Sequence, residues 1–226
     1  TGSPLRSDGT SPEAEVGRVY EETIALLSRL GHGAATGPRD YMSAQLSDDF
    51  LALWSIGAGM RLQSASEMAG LADDADLSQS FEPLMLGMAR RAGGYDEATR
   101  NAIVGRLEAF SAAYRAAFDD VDIVVTPTLG SPAAPIGYLG ASVPFEEHIE
   151  RVTEYAGYTG AENVAGLPSI NLPMGWSADG LPIGMQFVGA PGTEPMLLGL
   201  AYELEREFRW ADRKPPIWVG DAELPS

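Results

Sequence analysis

The stretch Tyr158–Gly189, YTGAENVAGLPSINLPMGWSADGLPIGMQFVG, constrains the fold more than any other part of the chain. It predicts a short helix or turn over Thr159–Val164, a Gly-Leu-Pro break, and a strand over Ser169–Met174. A turn over Ser177–Leu181 then leads to a second strand, Ile183–Val188. Ile170, Leu172 and Met174 fall on one side of the first strand, and Ile183, Met185 and Phe187 on one side of the second. Flanking Gly and Pro punctuate both runs as strands. The connector is too short for a parallel crossover, so the pair is antiparallel. Gly166 suits positive φ or a close approach, Pro168 fixes the path into the strand, and Gln186 faces away from Met185 toward a neighbouring loop.

Elsewhere the pattern is helical. Ser11 as N-cap and Pro12 at the first helical position predict a helix carrying Val16, Val19, Tyr20, Thr23, Leu27 and Leu30, closed by Gly31. Further helices are expected over Arg39–Met60, with Tyr41, Leu46, Phe50, Leu53 and Trp54, and from Pro83 to about Arg91 after Glu82. A long helix over Glu97–Phe118 carries Ile103, Leu107, Phe110, Tyr114 and Phe118, and Thr193 caps a final one. Leu62–Ser80, with Asp73, Asp74 and Asp76, reads as a polar connector without the glycine and bidentate Glu of a calcium loop. Asp122–Thr128 is a β-branched run stopped by Pro127, as expected of a strand buried on both faces. Leu129–Phe145, rich in Gly and Pro, reads as an ordered loop or lid.

The motifs Thr159-x3-Asn163-x2-Gly166-x-Pro168-Ser169, Leu172-Pro173-x-Gly175 and Gly180-Leu181-Pro182-Ile183-Gly184-x-Gln186 resemble the C-terminal part of the amidase signature family. The resemblance extends over nearly the whole chain. It implies an α/β fold, the C-terminal part of the amidase signature fold, with a mixed central β-sheet flanked by helices and residues 1–226 forming a single domain. It also implies a carboxamide hydrolase using a Ser–cis-Ser–Lys triad and an acyl-serine intermediate. A looser likeness is to the Nyl-type branch acting on ω-amino acid amides. By the same resemblance, Trp54, Tyr158, Thr159 and Asn163 are candidate substrate-binding residues beside the acyl group, with plain core packing as the competing role of Phe50 and Trp54. Asn163 has a hydrogen bond to neighbouring backbone as its competing role. Glu162 stands where the family commonly has an apolar or aromatic residue. It would favour a cationic group if it faced the cleft, and lie on the surface otherwise.

The family's catalytic segment has no counterpart here. No Gly-Ser-Ser-Gly-like stretch occurs, and the single lysine, Lys214, lies in a polar setting unsuited to a neutral base. No catalytic residue is therefore assigned. His32 reads as a loop residue past a helix C-terminus, and His148, between Glu147 and Glu150, as part of a surface charge cluster. An N-terminal nucleophile at Thr1 is a minor alternative, disfavoured because Gly2-Ser3-Pro4 reads as an exposed turn.

Composition closes off other classes. A formal charge of −17 argues against nucleic acid and anionic membrane as partners. The absence of cysteine removes disulfides, thiolate nucleophiles and Cys-based zinc sites. No cofactor or metal is expected, and the chain is assigned to the cytoplasm. The expected partners are a small amide substrate, the missing N-terminal catalytic portion and a second copy in a homodimer, because half of a shared sheet leaves apolar surface uncovered. The other reading is a non-catalytic binding or assembly module.

Overall fold

The computed structural model describes residues 2–6, 9–34, 42–71 and 76–215. Its centre is the predicted strand pair, β2 (Ser169–Trp176) and β3 (Pro182–Gly189), with β1 (Ile123–Pro127) antiparallel on the far side of β3. The turn between β2 and β3 closes through Ser177 N–H to Leu181 O at 2.8 Å, and Gly180 supplies the φ of 79°. Register runs from Ser169 opposite Val188 to Trp176 opposite Pro182, broken by a bulge between Pro173 and Gly175. At Gly175 a β-carbon would lie 2.4 Å from Val19, so the bulge brings backbone against helix where only glycine fits.

The alternation seen in the sequence sorts the two faces of the sheet. Leu172, Met174, Ile183, Met185, Phe187 and Val125 are buried together against α1 (Ala14–Arg29) and α7 (Glu194–Phe208). These helices contribute Val16, Val19, Tyr20, Leu197, Leu200 and Leu204 to that core. On the opposite face Val124 and Val188 pack beneath α4 (Glu97–Ala116) and α6 (Gly160–Ala165), with Ile103, Leu107, Tyr114 and Ala161. Strand β1 is thus buried on both faces, as its unbroken β-branched run predicts. Outside this layer α2 (Ala44–Met68) packs on α3 (Pro83–Gly93) and α4, and α3 packs on α5 (Phe145–Tyr155).

Several expectations are corrected. The named strands are all antiparallel, and the only parallel element among the described residues is an isolated bridge between Gly2 and Val125. That bridge also overturns the exposed N-terminal turn. Gly2 and Ser3 are buried, and Ser3 N–H donates to Val125 O. Helix α1 starts at Ala14 with Glu13 as N-cap, not at Ser11 and Pro12. Those residues are drawn into a tertiary contact instead: Arg6 donates to Ser11 O and Thr10 Oγ1, and Glu13 N–H donates to Gly130 O.

The predicted connector from Leu62 is helical as far as Met68, because Leu, Gln, Ala, Glu and Met are good helix formers however polar the run. Thr193 precedes α7, but its hydroxyl donates back to Ala190 O and does not cap the helix. His148 is buried on α5, with Nδ1 making no hydrogen bond among the described residues, so it is not part of a surface charge cluster. Its acidic neighbours occupy the outer side of the same helix. Gln186 is also buried, and its Nε2 donates to no loop among the described residues. His32 does sit just past α1, 3.1 Å from Glu203. Thr1, Tyr41, Asp73 and Asp74 lie outside the described residues, as does the predicted helix start at Arg39.

Candidate functional site

The site is built on α6 and the residues before it. This six-residue helix is too short to stand by propensity alone, and α4 fastens it from the side. Arg115 donates from Nε and Nη2 to Ala165 O at 2.9 and 2.6 Å, satisfying a carbonyl that the helix end leaves open. Gly166 then adopts φ 61°, the left-handed conformation that ends the helix and turns the chain toward β2. Tyr114 Oη donates to Glu162 Oε1 at 2.9 Å. Glu162 is buried, so neither the cleft-facing nor the surface position expected for it holds.

Directly before α6, Tyr158 is almost fully buried, and its hydroxyl donates to Pro4 O at 2.8 Å. The Arg6 guanidinium lies 5.9 Å from the Tyr158 ring centroid. Arg6 runs past Gly130 and Gly157, where a β-carbon would meet it at 2.3 and 2.8 Å. The N-terminal segment, the loop after β1 and the α5–α6 connection are thereby locked around one aromatic ring.

Between this connection and α2 lies a cavity of about 230 Å³. Helix α2 contributes Leu46, Phe50 and Trp54, α5 contributes Val152, the connection contributes Tyr158 and Thr159, and α6 contributes Gly160. Trp54 is 38% exposed, so it forms a rim of the cavity and is not packed in the core. Three of the four predicted site residues, Trp54, Tyr158 and Thr159, therefore meet around one space. Asn163 does not join them, because it is solvent-exposed on the outer side of α6.

Immediately before Phe50 in the chain, Asp49 is buried and faces α4. Arg106 donates to it from Nε and Nη2 at 2.7 and 2.6 Å, and Gln45 adds a bond at 3.1 Å. Hydrogen bonding from Arg106 holds the Asp49 carboxyl below the usual range against the opposing effect of burial, with Gln45 helping. This pair and the Tyr114–Glu162 bond escaped sequence reasoning. Both join residues far apart in the chain, and no local spacing marks them.

A family model described as Amidase matches residues 4–198. This chain belongs to the amidase signature family. A putative amidase AmiC of Mycobacterium bovis is 33% identical over 211 residues, which cover 93% of this chain and 43% of that protein. A putative amidase AmiA2 of Mycobacterium tuberculosis is 32% identical over 215 residues, 89% of this chain and 40% of that protein. The chain thus spans less than half the length of these relatives.

Among solved structures, a 6-aminohexanoate cyclic dimer hydrolase superposes with a TM-score of 0.81 at 24% identity, covering 95% of this chain and 46% of that one. A bacterial aryl acylamidase of the amidase signature family gives 0.76 at 19% identity, covering 93% and 44%. These likenesses establish the fold as part of the amidase signature architecture, and the family is one of hydrolases. Among the described residues no helix is long and apolar enough to cross a membrane.

Proposed function

We propose that this chain is the C-terminal portion of an amidase, forming one domain that supplies the scaffold and one wall of the substrate cleft. The observation that carries the reading is the meeting of Trp54, Tyr158 and Thr159 around one cavity in a chain of this family. The catalytic serines and lysine belong to sequence outside these 226 residues, since no Gly-Ser-Ser-Gly-like stretch is present and Lys214 is exposed. In the intact enzyme a serine oxygen attacks the amide carbonyl carbon and the C–N bond breaks. The amine departs with the proton relayed through the bridging serine and lysine, and water then cleaves the acyl-serine ester. An oxyanion hole stabilises both tetrahedral states.

The chain alone is expected to be inactive. Its partners are the catalytic portion, a small amide and, through the outer edge of β2, which pairs with no strand among the described residues, a second copy, and its place is the cytoplasm. The test is the intact mass and N-terminal sequence of the natural protein, with amide hydrolysis assayed on the same sample. A longer, active species carrying a serine-rich segment is the expected result. A natural 226-residue species that cleaves no amide would overturn the reading in favour of a binding module.

A further inference from the structure

Arg6 is half-buried, and its surroundings do not explain it as a charge partner. Glu13, Glu15, Glu154 and Asp179 line the same polar cavity, yet none of them forms an ion pair with it among the described residues. Its Nη1 donates instead to Thr10 Oγ1 at 3.0 Å and to Ser11 O at 2.7 Å, and its backbone N–H donates to Thr10 O. The side chain is thus fixed at its root and at its tip. Between the two it crosses Gly157 and Gly130, where a β-carbon would lie 2.8 Å from Cδ and 2.3 Å from Nη2. Neither glycine has a side chain to fill the space that a shorter residue at position 6 would leave. The α5–α6 connection separates two cavities: Tyr155 lines the polar one with Arg6, and Tyr158 and Thr159 line the one shared with α2. The guanidinium therefore meets the Tyr158 ring from the polar side, while Pro4 O holds the hydroxyl. Pro4 and Arg6 belong to a segment pinned to β1 through the Gly2 bridge and Ser3 N–H to Val125 O.

We propose that Arg6 is a positioning residue of the candidate site: its guanidinium holds the Tyr158 ring, and with it the α5–α6 connection, in a fixed place relative to β1. It acts through Tyr158 and touches no substrate. The proposal rests on the amidase reading above and adds to it a residue on the far side of the wall. Arg6→Ala leaves a hollow between two glycines, open to the polar cavity, into which the ring can settle. Arg6→Lys refills the path of the stem but replaces the planar fork with a compact ammonium, so it only partly restores the placement.

Hydrogen exchange on the natural protein reads the placement without any reaction. The amides of Gly130 and Ala156 donate to Tyr155 O and Val152 O beside Arg6. In Arg6→Ala they should exchange at least about tenfold faster, the scale of one lost charge–ring contact with its hydrogen bonds. Amides of β3 should be unchanged, and Arg6→Lys should fall between Arg6→Ala and wild type. Millimolar ethylguanidinium, which supplies the atoms removed in Arg6→Ala, should restore the slow exchange. In parallel, kcat/KM for hexanamide and benzamide should fall in the same variants and recover with the same additive, a recovery that a misfolded variant would not show. If Arg6→Ala fails to fold, Arg6→Lys carries the same measurements. Unchanged exchange at Gly130 and Ala156, an equal rise throughout β3, no recovery with ethylguanidinium, or hydrolysis untouched by the substitution would each overturn the proposal. Hydrolysis of neither amide by the natural protein would defeat the amidase reading, while the exchange pattern would still decide whether Arg6 holds the connection.

Discussion

The two faces of the sheet are held by different physics. Toward α1 and α7 the buried contact is side-chain packing, with Tyr20, Met185, Phe187 and Leu204 fully buried, and the hydrogen bonds from Arg18 to Trp176 O and from Ala178 N–H to Glu15 lie at its exposed end. Toward α4 and α6 the apolar contact is smaller and is reinforced by polar fastenings, Tyr114–Glu162, Arg115–Ala165 O and, one layer out, Asp49–Arg106. Packing accepts other apolar side chains of similar volume, because dispersion has no direction. A charge-assisted hydrogen bond between fixed atoms does not. The candidate cavity lies on the fastened side, where the position of a six-residue helix decides its shape.

That contrast can be broken by mutation. The largest effect is expected on the packed face, where Phe187→Ala should cost about 4 kcal/mol in chemical denaturation, since the ring is surrounded on all sides. Next, Arg106→Ala should destabilise the fold by a smaller amount, because it leaves the buried Asp49 carboxylate with Gln45 in place of the arginine fork, and Asp49→Asn less still. If Arg106→Ala proved the more damaging of these two, the fastened face and not the packed one would be the main source of stability. Glu162→Gln should cost only about 1 kcal/mol, because an amide oxygen still accepts from Tyr114.

The smallest effect is a pH dependence. The Asp49 carboxyl titrates below its ordinary value of 3.8 when folded. Its contribution is therefore fully present above that value and disappears as pH falls through the depressed one. Thermal melts of wild type and Asp49→Asn should accordingly converge as pH drops below 3.8. Curves that remain parallel throughout acid titration would remove Asp49 from the fastening.

The packed face was legible in the sequence and the fastened face was not, for a common reason. Alternation along β2 and β3 and the helical spacing of Val16, Val19, Tyr20 and Thr23 are local signals, and burial follows from them. The beginning of α1 was misplaced because Arg6 and Gly130 claim residues that otherwise look like an ideal cap. His148 reads as a surface residue because four glutamates share its helix and sequence alone does not tell which side faces inward. Trp54, Tyr158 and Thr159 were named through family likeness. No spacing joins a residue on α2 to residues a hundred positions later, and only the folded chain brings them to one cavity.

The order of the strands also has a consequence in time. Strands β2 and β3 are joined by a five-residue turn, Ser177–Leu181, and hairpins of that kind form within about 1–10 μs. Strand β1 must find β3 across roughly fifty intervening residues, which raises its loop-closure cost above the hairpin's by a term growing as the logarithm of length. Loop closure alone thus favours the hairpin over the β1–β3 pairing, and α4 leads into β1. Because α4 holds the fasteners of α6, the shape of the cavity is tied to the pairing that spans the longer stretch of chain.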